Sequence, residues 1–282
     1  MVFVIGETTD VRPELAGVGG WTHITEVESP TNDIAPYESD GVTWKAYSWE
    51  NPKVMTAGST TPSSRDLMGS ITLAEDGLVE VLIVAGGGSG YANAGGGGAG
   101  GVIATVVELK AGKNDIYVGS GGQSTGTGGG SAVGIVGIGG GSYRNSGDSG
   151  NGFSGVNATS PGAGAAGPTY YDYDTEPNGY RPGPGITLNW EDGVTDVVYG
   201  YGGDYSTSAA QPPGYGWGGT FQPSTNTSVY NPGANGFVLV RVPQAYALST
   251  SVTAMSDETR ERAQAEADFE AQRQQALIED DE

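Results

Sequence analysis

One histidine, no cysteine and 33 carboxylates bound the acid–base and metal chemistry open to this 282-residue chain. Without cysteine there is no disulfide framework and no thiolate metal site. His23 alone cannot build a zinc or transition-metal centre, which needs several nitrogen or sulfur ligands. A Ser–His–Asp triad would have to be assembled on His23 as well, and no serine or aspartate pattern marks partners for it. His23 is therefore expected to be an ordinary strand residue. Glycoside cleavage needs two carboxyl groups roughly 5–10 Å apart. Asp172, Asp174, Glu176, Asp192 and Asp196 are the candidates, and no spacing sets two of them across a groove. The run Asp172-x-Asp174-x-Glu176 resembles the start of a calcium loop, but Pro177 stands where the turn glycine belongs. No catalytic residue, cofactor or metal is expected, and the protein is read as a non-enzyme.

Glycine is the other residue type whose spacing can do chemistry. It occurs 51 times, and residues 86–101 hold ten glycines in sixteen positions. Gly95, Gly97 and Gly100 form a literal G-x-G-x-x-G. That motif cradles a pyrophosphate only when a helix follows, so that the phosphate meets a helix N-terminus. Here the β-branched run Val102–Leu109 follows instead. Gly112-Lys113 is followed by Asn114, so a P-loop is absent too. A plain flexible linker is excluded because the glycine blocks lie between apolar strands and contain Val133, Ile135, Val136 and Ile138. The remaining reading is packed glycine-rich structure. Without a Cβ, backbones stack closely in polyglycine-like segments, or form tight turns and bulges between strands.

The elements that must position these residues are mainly β. Residues 1–75 read as a small N-terminal β module, a possible attachment element, with strands at Val2–Ile5, Trp21–Val27, Val42–Trp49 and Ser70–Leu73. Pro30, Pro36, Gly41, Pro52, Gly58 and Pro62 punctuate the gaps. Residues 76–243 read as a glycine-rich, β-sandwich-like domain with long loops. Leu78–Ala85, nearly continuously apolar, is expected to be buried on both faces. Val102–Leu109, Asp115–Gly119, a hairpin of Thr187–Trp190 with Val194–Tyr199, and Gly236–Val242 are its other strands. Residues 244–282 form an acidic tail with ten acids, three arginines and no glycine. From Ser256-Asp257-Glu258 to about Ile278 its Ala, Glu, Gln and Arg predict a C-terminal α-helix.

Net charge is −21. A phosphate-binding surface needs clustered Lys and Arg, so nucleic acid is disfavoured as a partner. Like charge keeps particles dispersed and also suits a saline setting. No run of about 20 apolar residues exists to span a membrane, and the first residues lack a basic, secretory-type start. The aromatic residues are the best contact candidates. Tyr170, Tyr171, Tyr173 and Tyr180 share one loop region, and Tyr199, Tyr201, Tyr205, Tyr215 and Trp217 the next. Tyr mixed with Gly, Ser and Asn is the composition of adaptable binding loops. The alternative is that these rings pack over glycine backbones or between subunits.

A strand ending in Ala85-Gly86-Gly87-Gly88, the element Ile116-Tyr117-Val118-Gly119-Ser120-Gly121-Gly122, then Gly128-Gly129-Gly130-Ser131, and the closing run from Pro232 to Val242 occur in that order. Over residues 76–243 the chain resembles the glycine-rich domain of tailed-phage tail fibres and minor tail proteins. The resemblance implies a structural virion protein on the tail or another external surface, a β-rich fold and a homotrimer. It further implies contacts with other virion proteins and with a host cell-surface glycan or protein. A capsid decoration or adaptor protein without receptor binding, and a glycan-degrading tail enzyme, are the alternatives. In the expected polarity, residues 1–75 attach and the glycine-rich loops face outward.

Overall fold

The computed structural model describes residues 20–53, 63–91, 97–123, 127–141, 185–203, 214–219 and 230–248. The expected strand Val2–Ile5 and the C-terminal helix beginning near Ser256 lie outside them. The described chain is mainly β, its one helical element being a 3-10 turn at Gln244–Tyr246. No described helix is long and apolar enough to cross a membrane.

The strands are β1 (Ile24–Glu28), β2 (Asn32–Ser39), β3 (Val42–Glu50), β4 (Arg65–Leu73), β5 (Gly77–Val84), β6 (Gly90–Tyr91), β7 (Val102–Leu109), β8 (Gly112–Gly119), β9 (Ser131–Val133), β10 (Val136–Ile138), β11 (Ile186–Leu188), β12 (Val197–Tyr199), β13 (Tyr230–Asn231) and β14 (Phe237–Pro243). They form two five-stranded sheets, ordered β2-β3-β14-β5-β7 and β1-β4-β8-β9-β10, and two short pairs, β11-β12 and β13-β6. The larger sheets face each other, with β3, β14 and β5 lying over β4, β8 and β9. Between them, Val27, Trp49, Ile71, Val81, Ile83, Ile116, Val118, Val238 and Val240 make a continuous apolar core. Strand alternation explains the arrangement, since every second side chain of β14 and β5 points into this layer.

The other faces of β14 and β5 are covered as well. Leu82, Val84, Phe237 and Leu239 pack beneath the β11–β12 hairpin, against Leu188, Trp190 and Tyr199. The first sheet is therefore a middle layer. This double burial is the reason Leu78–Ala85 lacks polar alternation.

The compositional division at residue 75 has no counterpart in the sheets. β3 pairs with the closing strand β14 in register from Phe237↔Glu50 to Pro243↔Trp44, and β4 pairs with β8 from Arg65↔Gly119 to Leu73↔Gly112. Residues before and after 75 thus share both sheets and one core. The dense glycine run begins at Gly86, where the chain leaves the sandwich after β5. β2 was also missed as a strand. It is polar, carries Pro36 and is an edge strand with a register shift between Ile34 and Tyr37. Edge strands tolerate proline and polar residues that central strands do not.

A buried charge sits within the middle layer. Arg241 is fully buried, its Nε donates to Glu80 Oε2 at 2.6 Å, and an Nη1–H donates to the Tyr37 hydroxyl at 3.1 Å. Its guanidinium lies over the Trp44 ring at 4.3 Å and the Trp190 ring at 4.1 Å. Ion pair and aromatic faces together offset the desolvation of the charge.

Candidate functional site

β3, β14, β5 and β7 all meet one end of the sandwich, where Glu50, Phe237, Val84 and Val102 are cross-strand neighbours. Beyond that end the glycine segments assemble into a lattice of their own. Gly86, Gly87 and Gly88 donate their backbone N–H groups to three different segments, at Gly129, Ala234 and Gly98, over 2.8–2.9 Å. Bonds to a single neighbour recur every third residue. Gly97 and Gly100 donate to Gly219 and Gly216, and Gly233 and Gly236 donate to Gly122 and Gly119. A threefold helix has no internal hydrogen bonds and presents its backbone groups outward in three directions. A period of three, shared among neighbouring segments, is the signature of such helices packed side by side.

This packing requires glycine. A Cβ on Gly100 would lie 1.9 Å from the Ala85 carbonyl oxygen, and one on Gly128 would lie 1.8 Å from that of Gly86. The lattice reaches further than the densest glycine blocks. Residues 200–203, 214–219 and 231–236, which read as loop from their mixed composition, supply rows of it. Two rows are disguised in the sequence, because Tyr215 and Trp217 in one and Asn235 in the other sit between glycines that face inward.

The aromatic candidates divide by depth. Tyr199, a contact candidate by composition, is fully buried within the described chain. Its ring stacks on Phe237 at 5.8 Å, and Tyr215 stacks on the same Phe237 at 4.4 Å. Tyr215 is only half-buried, so these rings serve chiefly to seal the hairpin onto the sheet. Tyr201 and Trp217 are half-buried and lie against each other with ring centroids 4.9 Å apart. The Trp217 indole N–H donates to the Val198 carbonyl at 2.8 Å, fixing the ring on the hairpin. Tyr170, Tyr171, Tyr173, Tyr180 and Tyr205 lie outside the described residues.

The carboxylates divide similarly. Asp192 closes the hairpin turn by accepting from Val194 N–H, Thr195 N–H and the Thr195 hydroxyl. Those bonds hold its carboxyl below the usual range. Glu191, not singled out by spacing, accepts the Tyr199 hydroxyl proton at 2.5 Å. Burial pushes the Glu191 carboxyl up, and the nearby charges of Glu50 and Asp192 push it the same way. Burial also raises Tyr215, and a hydrogen bond to Glu50 raises it further. Asp172, Asp174 and Glu176 lie outside the described residues, and Asp196 is exposed on the hairpin. His23 is exposed and rests against Tyr246 with ring centroids 4.9 Å apart. Among the described residues no cluster of His, Cys, Asp and Glu is arranged to hold a metal.

A polar seam that composition did not reveal ties Asn51, Lys53 and Ser64 to the lattice. Asn235 Nδ2 donates to the carbonyls of Asn51 and Lys53, and its Oδ1 accepts from Gly121 N–H at 2.9 Å. Ser120 N–H donates to the Ser64 carbonyl at 2.8 Å. The described ends of the β3–β4 connection, residues 51–53 and 64, therefore meet the glycine end. The chain matches no family model, no curated protein and no solved structure.

Proposed function

We propose that the protein is a non-enzymatic structural component of a tailed-phage virion, a tail-fibre or minor tail protein whose glycine-lattice end meets the host surface. The polarity of the molecule carries this reading. The described chain enters at Gly20, beside Leu78 at the start of β5, and leaves after Pro243, the residue opposite Trp44. His23 and Tyr246 touch there. Entry and exit thus share the end opposite the lattice. The described residues therefore begin and end at one end of the sandwich, while close-packed glycine backbone occupies the other. The proposed arrangement is a homotrimer joined to other virion proteins, as the family that the order of strands and glycine blocks resembles implies.

Tyr201 and Trp217 are the described residues best placed for contact with a surface glycan or protein. Purified protein is expected to bind host cells, and Tyr201→Ala with Trp217→Ala is expected to weaken binding at least about tenfold, with Tyr201→Ala alone, which keeps the Trp217–Val198 hydrogen bond, expected to weaken it in the same direction. Unchanged binding would remove those residues from the site. Labelling of intact particles tests the location: a few copies at a tail tip fit the proposal, and hundreds over the shell would replace it with a decoration protein.

A further inference from the structure

We propose that three copies of the chain join along row 139–141 and the β10 edge that leads into it, so that one glycine lattice continues into the next. The rows have a definite arrangement in cross-section. Row 86–88 is bonded to six others: Gly86, Gly87 and Gly88 donate to rows 127–130, 231–236 and 97–101, and accept from Gly141, Gly122 and Gly219. Those six are bonded to one another in a closed ring, in the order 97–101, 139–141, 127–130, 119–123, 231–236, 214–219 and back to 97–101. Threefold helices packed in this way form a hexagonal array, with row 86–88 at its centre.

Every row of a hexagonal array has six neighbouring positions. Row 139–141 fills three adjacent ones with rows 97–101, 86–88 and 127–130 of its own chain. Its other side faces outward. Gly139, and Thr127 on the adjoining row, are the exposed residues of the described lattice segments, the rest being buried or half-buried. The exposed strip runs on into the sandwich. β10 ends its sheet, Gly137 on it is exposed, and Ile135 at its start is 90% exposed. Residues 127–141 contain no Asp, Glu, Lys or Arg, although the net charge is −21. Copies of so acidic a chain repel one another, and contact through this strip adds no buried carboxylate to that cost.

The occupant follows from what the rows accept. Within the chain, a Cβ on Gly140 would lie 1.8 Å from the Gly128 carbonyl oxygen, and one on Gly141 would lie 2.2 Å from that of Gly98. Rows this close admit only another glycine-patterned row, and row 139–141 of a second copy is one. Laid in the notch between rows 139–141 and 127–130 of the next copy, it closes a ring after three steps. Three mutually adjacent rows of a hexagonal array form a triangle about a threefold axis, and a head-to-tail contact that closes gives a cyclic oligomer. The three outward positions are then filled by row 139–141 of both other copies and row 127–130 of one. Ile135, on the same edge, is covered in the contact. The interface deepens the homotrimer proposed above and rests on that reading for its setting on the virion.

Sedimentation of the full chain at about micromolar concentration, with single-cysteine cross-linking, tests the interface. The wild-type chain is expected to sediment as a trimer. Ile135→Glu changes a side chain that is exposed in the single copy, and Gly139→Val puts a branched side chain on the outward row. Each is expected to keep the β circular dichroism and to weaken trimerisation at least about tenfold. The chain has no cysteine, so Ile135→Cys carries one thiol per copy. Under mild oxidation it is expected to give disulfide-linked pairs, whereas Val194→Cys, at an 83% exposed site on the hairpin turn, is expected to stay unlinked. A wild-type monomer or dimer would overturn the interface and the homotrimer together. A trimer that survives both Ile135→Glu and Gly139→Val, or in which Ile135→Cys links no better than Val194→Cys, would overturn the interface and leave the homotrimer standing.

Discussion

At the scale of single residues, absent side chains matter as much as present ones. Gly100 and Gly130 look equivalent in sequence but sit in different surroundings. A Cβ on Gly100 would penetrate the Ala85 carbonyl at 1.9 Å, whereas one on Gly130 would stand 3.0 Å from the Ile138 carbonyl oxygen. Gly100→Ala is therefore expected to destabilise by about 3 kcal/mol or more, and Gly130→Ala by less than about 1.5 kcal/mol. Urea denaturation of the two variants checks the difference. The sequence identifies glycine as packing material but cannot say which glycine faces a backbone, since that depends on the neighbouring row. Tyr199 and Tyr201 show the same limit. They are two residues apart at the end of one strand, yet one is sealed against Phe237 and the other is paired with Trp217 at half-burial. Composition marks both as binding-loop residues, and only the path of the hairpin over the sheet separates them.

At the scale of elements, strands with continuous or alternating apolar residues are legible and polar ones are not. Val42–Glu50, Val102–Leu109 and Phe237–Pro243 fall where β-branched and aromatic residues cluster. Asn32–Ser39 is invisible because its pairing comes from the edge of β3 and not from its own burial. Arg241 lies in the most apolar strand and still belongs there, because three elements converge on it. β5 supplies Glu80, β2 supplies Tyr37 and the hairpin supplies Trp190. Arg241→Met leaves the Glu80 carboxylate buried without its cation and is expected to destabilise by about 3–5 kcal/mol. Adding Glu80→Met in the same chain is expected to restore most of that loss, since the pair is then replaced by apolar groups of similar volume. A thermodynamic cycle over the two single variants and the double variant measures this coupling. Purely additive losses would mean that the pair does not act as a unit.

At the scale of the whole molecule, charge and glycine are kept apart. The described lattice segments, residues 86–88, 97–101, 119–123, 127–130, 139–141, 200–203, 214–219 and 231–236, contain no Asp, Glu, Lys or Arg. The net charge of −21 therefore falls on the sandwich and the remaining chain. The topology explains the separation. A charged side chain has no room where backbones touch, whereas strands and turns of the sandwich carry the exposed Glu38, Lys110 and Lys113 and the partly buried Glu28, which is paired with Lys113. The lattice is held by amide hydrogen bonds between neutral groups, so pH and salt act on it only through the sandwich. Self-repulsion among excess carboxylates is long-ranged at low salt, with a screening length of about 30 Å at 0.01 M against about 10 Å at 0.1 M. The melting temperature is accordingly expected to rise by several degrees between about 0.01 and 0.3 M sodium chloride, as scanning calorimetry would record. Ion pairs such as Lys110–Asp76 and Lys113–Glu28 work in the opposite direction, because screening weakens them. They are outnumbered, with 33 acids against 12 bases in the chain. A melting temperature that falls with salt would show that these pairs, and not the excess negative charge, dominate the electrostatics of the folded protein.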